Sequence, residues 1–132
     1  AYLGPHPDGE LLIARRNAAR CGFAYLRPRG FAGAPYVASI GVAPDHRRLG
    51  VGTALLVHAE SRYSPPAQHI FLLVSSFNAD ARRLYERLGY RAVGELPDFI
   101  VAGAAEVIMH KRLAPLAAAA GDTSSSSPRP RW

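Results

Sequence analysis

Cysteine is almost missing from this sequence: Cys21 is the only one. That excludes an intramolecular disulfide framework and any zinc cluster built on cysteine. The five histidines are scattered, with no His-x-x-x-His or His-carboxylate spacing, so no metal is expected. No Ser-His-Asp constellation can be assembled either. No run approaches the roughly 18 consecutive apolar residues of a membrane-spanning helix. The amino end lacks the basic-then-apolar order of a secretory signal, so the expected location is cytoplasmic. Met109 is the sole methionine, so the chain does not open on an initiator Met.

What is present is an ordinary globular composition, 48% hydrophobic and 20% charged, on a chain long enough for one domain. The net charge is +6, and Lys111 is the only lysine among 16 basic residues. Arginine suits bidentate recognition of phosphate or carboxylate. The basic residues come in short pairs such as Arg15-Arg16, Arg47-Arg48 and Arg82-Arg83. Neither a long basic tract nor a basic strand interleaved with aromatics is found, which argues against a nucleic-acid binder.

Leu11–Ala14 and Cys21–Leu26 read as two strands of a hairpin, with Asn17-Ala18-Ala19-Arg20 as its turn. Pro28, Gly30, Gly33 and Pro35 read as a loop. Tyr36–Val42 is a third strand, stopped by Ala43-Pro44. Gly50–Tyr63 carries Leu55, Leu56, Ala59 and Tyr63 at helical spacing. Ile70–Val74 is a continuous apolar run, expected to be a strand buried on both faces. Asn78 is a helix N-cap, followed by Ala81, Leu84, Tyr85 and Leu88 on one stripe and by a stop at Gly89. Tyr90–Leu96 and Glu106–Lys111 are two more strands. The order predicts an α/β domain of α+β type, a mixed sheet with a right-handed β-α-β crossover. Residues 114–132, rich in Ala, Ser, Pro and Arg, are expected to be a disordered tail.

The chemistry concentrates between Ile40 and Leu56. A strand ends, a basic turn follows, and a helix starts at Gly50 and Gly52. Unpaired N–H groups at a helix start, with glycines that admit close approach, suit a phosphate. Neither a P-loop nor a dinucleotide fingerprint is present, because no Gly-Lys-Ser/Thr follows and Leu55 stands where a third glycine would be. A tight strand-to-helix turn with solvated arginines is the plainer alternative.

The wider pattern Val42-x-Pro44-x-x-Arg47-x-x-Gly50-x-Gly52-x-x-Leu55-Leu56 resembles the acetyl-CoA motif of the GNAT superfamily of N-acetyltransferases. A second motif follows in order: Phe71-Leu-Leu-Val-Ser-Ser-Phe-Asn78, then Leu84-Tyr85-Glu86-Arg87-Leu88-Gly89-Tyr90. The resemblance covers about residues 10–113. It implies a GNAT-like acyl-CoA N-acyltransferase fold and acetyl transfer from acetyl-CoA to a primary amine, on a small molecule or on a protein N-terminus or lysine. It further implies direct attack in a ternary complex, and a homodimer.

By this resemblance the backbone of Arg48, Leu49, Gly50, Val51, Gly52 and Thr53 cradles the CoA pyrophosphate. Arg47 braces the turn or approaches a phosphate. Ile40, Gly41 and Val42 pair with the pantetheine arm as an added strand would. Gly41 reads equally as a structural bulge. Asn78 contacts the pantetheine arm, caps its helix, or does both. Tyr85 is the general acid for the departing thiolate, or simply an aromatic of the core stripe.

A general base is missing from the pattern. Relatives carry a Glu at the position of Leu73 or at one near Tyr36. Glu60, Glu95, Asp98, Glu106, His46, His58 and His69 are the remaining candidates, and a catalytically weak CoA-binding or interaction module is the second reading. Family domains also begin with a strand and two helices, for which too few residues precede Leu11. Residues 1–113 are therefore expected to be an amino-terminally incomplete domain.

Overall fold

The structure is a computed structural model, and it describes residues 8–113. The tail expected at 114–132 lies outside the described residues.

Six strands and two helices alternate as the sequence order predicts: β1 (Glu10–Arg16), β2 (Ala19–Phe31), β3 (Ala34–Val42), α1 (Val51–Tyr63), β4 (His69–Ser75), α2 (Ala79–Arg87), β5 (Arg91–Pro97) and β6 (Ala105–Arg112). They form one mixed sheet in the order β1-β2-β3-β4-β6-β5. Only β3 and β4 are parallel neighbours, joined through α1, and β6 lies antiparallel between β4 and β5. No helix among the described residues is long and apolar enough to cross a membrane.

Both hairpin turns at the amino-terminal end use left-handed residues. Asn17 and Ala18 have φ of 51° and 72°, and Ala32 and Gly33 have 51° and 84°. Such two-residue turns match the twist of the strands they join. The second turn corrects the loop expected at 28–35, because β2 runs on through Pro28 and Gly30 to Phe31. Pro28 is tolerated because the ladder to β3 is interrupted between Arg27 and Phe31.

The core gathers Ala24 and Leu26 of β2, Val37 of β3, Leu55, Leu56 and Ala59 of α1, Ile70, Leu72 and Val74 of β4, Tyr85 of α2, and Val107 and Met109 of β6. Cys21 is buried within it. Strand β4 is not buried on both faces as its apolar run suggested. Ile70, Leu72 and Val74 are buried, while Phe71 and Leu73 on the opposite face are half-covered. Aromatics line that opposite face: Phe71 stacks on Phe31 at 4.4 Å and lies 5.0 Å from the His110 ring.

Two polar clusters tie α1 to the rest of the fold. Glu10 of β1 accepts from Tyr63 Oη at 2.8 Å and pairs with Arg62 at 2.9 Å. Glu60 of α1 accepts from Tyr90 Oη and from Lys111 Nζ, each at 2.9 Å.

Candidate functional site

Strands β3 and β4 pair only at Tyr36↔Phe71 and Val37↔Leu72. Beyond Val37 the two strands part, although β3 stays paired with β2 as far as Gly22↔Val42. The divergence begins at a bulge. Tyr25 pairs with Ser39 and Leu26 with Val37, so Ala38 is an extra residue in β3. A bulge bends and twists its strand, and here it turns β3 away from β4. Ile40, Gly41 and Val42 lie in the parted stretch, where nothing on the β4 side pairs with them.

Gly41 is not a bulge, because the ladder is regular at Phe23↔Gly41. It has a neighbour the sequence did not show. A Cβ there would lie 2.7 Å from Cε1 of Phe23, so the glycine makes room for that ring.

After Val42 the chain makes a 3-10 turn at Pro44–His46 and then enters α1. Arg47 Nε donates to the Val42 carbonyl at 3.1 Å, which braces the turn against the end of β3. Arg48 and Gly50 are left-handed, with φ of 65° and 82°. A Cβ at Gly50 would meet nothing within 4 Å, so its φ and not crowding calls for glycine. Gly52 is crowded instead: a Cβ there would sit 3.1 Å from Leu84 Cδ2, where α1 meets α2.

The two helix starts differ chemically. Asn78 caps α2, its Oδ1 accepting from Ala81 N at 3.2 Å. At α1 the N-cap is Gly50, no side chain caps the first turn, and that turn holds no acidic residue. The N–H groups of Val51, Gly52 and Thr53 thus face outward with the positive end of the helix dipole behind them. Leu49, beside them, is exposed. His46 Nδ1, in the preceding 3-10 turn, is buried without a hydrogen-bond partner among the described residues.

Tyr85 projects from α2 into the core and is only 6% exposed. Its ring meets Tyr90 edge-on at 6.2 Å, and no described residue hydrogen-bonds its hydroxyl. Burial pushes the phenol above its ordinary value, which keeps it protonated at neutral pH. The core-stripe alternative holds for the ring, and the hydroxyl remains uncommitted. Asn78 likewise caps its helix with Oδ1 while its amide NH2 donates to no described residue.

The scattered acidic and histidine candidates are separated by the fold. Glu60 is committed to Tyr90 and Lys111. The Asp98 carboxylate accepts from Gly103 N at 2.7 Å and closes the β5–β6 loop. His69 and His110, 41 residues apart, meet at 2.8 Å. Glu106 is buried and accepts from Ser75 Oγ at 2.5 Å. A cavity of about 390 Å³ opens between Ile13, Arg20, Phe23 and Gly41. Val42 and Ala43 also line it, so it touches the Gly41-Val42 end of β3, and Arg20 is its one charged residue.

A model for the acetyltransferase (GNAT) domain matches residues 7–92, well over half of the chain. The chain belongs to the GNAT acetyltransferase family. It is 38% identical over 79 residues to an uncharacterized N-acetyltransferase of Methanocaldococcus jannaschii, covering 58% of this chain and 51% of that protein. To an N-alpha-acetyltransferase of Sulfurisphaera tokodaii it is 34% identical over 106 residues, covering 78% of this chain and 64% of the relative. It thus spans between half and two thirds of the length of these curated relatives. The solved structure of an aminoglycoside 6′-N-acetyltransferase complexed with coenzyme A matches with a TM-score of 0.71 at 20% identity, over 84% of this chain and 76% of that one. That likeness shows the fold.

Proposed function

We propose that this chain is an acetyl-CoA-dependent N-acetyltransferase that acetylates a primary amine by direct attack in a ternary complex. One observation carries the reading: the β3–β4 pair parts after Val37↔Leu72 and leads into the uncapped start of α1. An extended thioester arm can add to the free edge of β3 at Ile40, Gly41 and Val42. Its pyrophosphate would meet the N–H groups from Arg48 to Thr53. The absence of any acid in the first turn fits an anion there. Acetyl-CoA supplies the acetyl group as a thioester. Tyr85, kept protonated by burial, donates its phenolic proton to the departing sulfur. The Asn78 amide is free to donate to the arm.

The N-alpha-acetyltransferase relative makes a protein N-terminus the first acceptor to try. The fold neighbour that acts on an aminoglycoside makes a small amine the second. Use of acetyl-CoA agrees with a cytoplasmic location. The test is thiol release from acetyl-CoA in the presence of free-N-terminus peptides and of small polyamines. Acceptor-dependent release supports the reading, and failure to bind acetyl-CoA at millimolar concentration refutes it.

Leu73 motivates a second reading, a module that binds CoA without transferring acetyl. It predicts binding with no turnover on any acceptor.

A further inference from the structure

An amine nucleophile arrives as an ammonium, and its proton needs a destination. Leu73 stands where the resemblance places a carboxylate, and Tyr36 lies near the other such position. Both lie on the sheet face opposite the helices. Tyr36 aligns with Phe71, and Leu73 is two residues further along β4.

Glu106 is on that same face. In the β4–β6 register Leu73 pairs with Ile108 and Ser75 with Glu106, so Glu106 lies one diagonal step from Leu73. Its β4 partner, Ser75, is three residues beyond Leu72, the last residue to pair with β3, so it borders the parted strands.

Glu106 is the one buried charged residue among the described residues, at 5% exposure. Buried carboxylates are ordinarily paired. Even the less buried Glu10 and Glu60 each hold a cation and a tyrosine hydroxyl. Glu106 has no cation within salt-bridge distance among the described residues. The neutral Ser75 hydroxyl donates to Oε2 and fixes the carboxylate, while Oε1 accepts from no described residue. Leu96 stands opposite it on β5. Tyr36 of β3 lies within electrostatic reach of Glu106, and Arg27 of β2 within reach of Tyr36. Burial first, and then the charge of Glu106, pushes the Tyr36 phenol up, and Arg27 opposes them. Packing makes no use of the free oxygen of Glu106.

We infer that Glu106 Oε1 accepts the proton of the incoming ammonium, so that the base comes from β6 in place of β3 or β4. This rests on the acetyltransferase reading. The N–H bond breaks toward Oε1, and the freed lone pair forms the C–N bond at the thioester carbonyl. The C–S bond breaks, and sulfur takes its electron pair and the proton of Tyr85. The second proton of the nitrogen returns to Tyr85, and the proton on Glu106 passes to solvent. The sum is one amide, one thiol and one released proton.

The test is Glu106→Gln, which keeps the shape and can still accept from Ser75. Acetyl-CoA affinity is read by calorimetry, and thiol release is followed from pH 6 to 10 with an alanine-initiated peptide and with a small polyamine. Affinity should stay within about twofold while kcat/KM near pH 7 falls about 100- to 10,000-fold. The deficit should shrink as rising pH deprotonates the amine in solution. Wild-type turnover and an unchanged pH profile in the variant overturn the inference alone. A loss that is uniform with pH and accompanied by lost affinity also overturns it, in favour of a structural role. A wild-type protein that binds acetyl-CoA but never turns over overturns it together with the acetyltransferase reading.

Discussion

Gly50 and Gly33 offer a matched pair of substitutions. Both have positive φ, 82° and 84°, and a Cβ at either would meet nothing within 4 Å. Alanine at either site therefore carries backbone strain without a clash. One L-residue in the left-handed region costs roughly 1–2 kcal/mol, offset by about 0.4–1 kcal/mol because alanine restricts the unfolded chain. The net loss is about 1 kcal/mol in each variant. With a urea slope of about 1–3 kcal/mol/M, the unfolding midpoint falls by about 0.3–1 M. The consequences for ligand diverge. Gly33 turns a hairpin between β2 and β3, whereas Gly50 sets the direction of the free N–H groups of α1. Losing one charge-assisted hydrogen bond of about 1.5–3 kcal/mol lowers affinity roughly 10- to 150-fold. Gly50→Ala should weaken acetyl-CoA binding by that order, measured by titration calorimetry, and Gly33→Ala should leave it within twofold. Equal affinities in the two variants would refute the cradle at α1. An unchanged urea midpoint in both would refute the strain argument.

Tyr85→Phe should lower kcat at least tenfold with acetyl-CoA affinity within twofold, and full activity would remove its role as acid. Glu60→Ala leaves Lys111 and Tyr90 without their shared acceptor, and it should cost about 2 kcal/mol in urea unfolding because the cluster is partly buried; a loss below about 0.5 kcal/mol would show that solvent replaces the carboxylate. The His110 imidazole is pushed down, first by burial, then by His69 and Arg112. Its neutral form is thus favoured on folding, and the stability it contributes is present above about pH 6.5 and lost as pH falls through its lowered value. Wild type should lose more stability than His110→Gln between pH 7.5 and 5, and parallel profiles would exclude His110 as the cause.

Helix α2 was legible residue by residue because its signals are local: the Asn78 cap, the apolar stripe and the Gly89 stop all lie within one turn of their effect. The start of α1 was legible for the same reason. Strand β2 beyond Leu26 was hidden. Pro28 and Gly30 punctuate a chain only where the ladder is intact, and here it is interrupted from Arg27 to Phe31. Nothing local marks Ala32 as a residue with φ of 51°. Gly41 was singled out from sequence, but the Phe23 ring that a Cβ there would meet sits across the ladder. The same limit applies to Glu106. Its partner Ser75 is 31 residues away, and only the β4–β6 register shows that its carboxylate shares a face with Leu73. The spacing alone offered a carboxylate near a loop, with no means of choosing it over Asp98.

The central claim is that acetyl-CoA lies along β3 past its split from β4 and ends on the first turn of α1. Backbone amide NMR during an acetyl-CoA titration tests it most directly. The account predicts saturable shifts concentrated at 40–42 and 48–53, with the β1–β2 turn at Asn17-Ala18 unmoved. Shifts that avoid the α1 start, or none at millimolar acetyl-CoA, would contradict it.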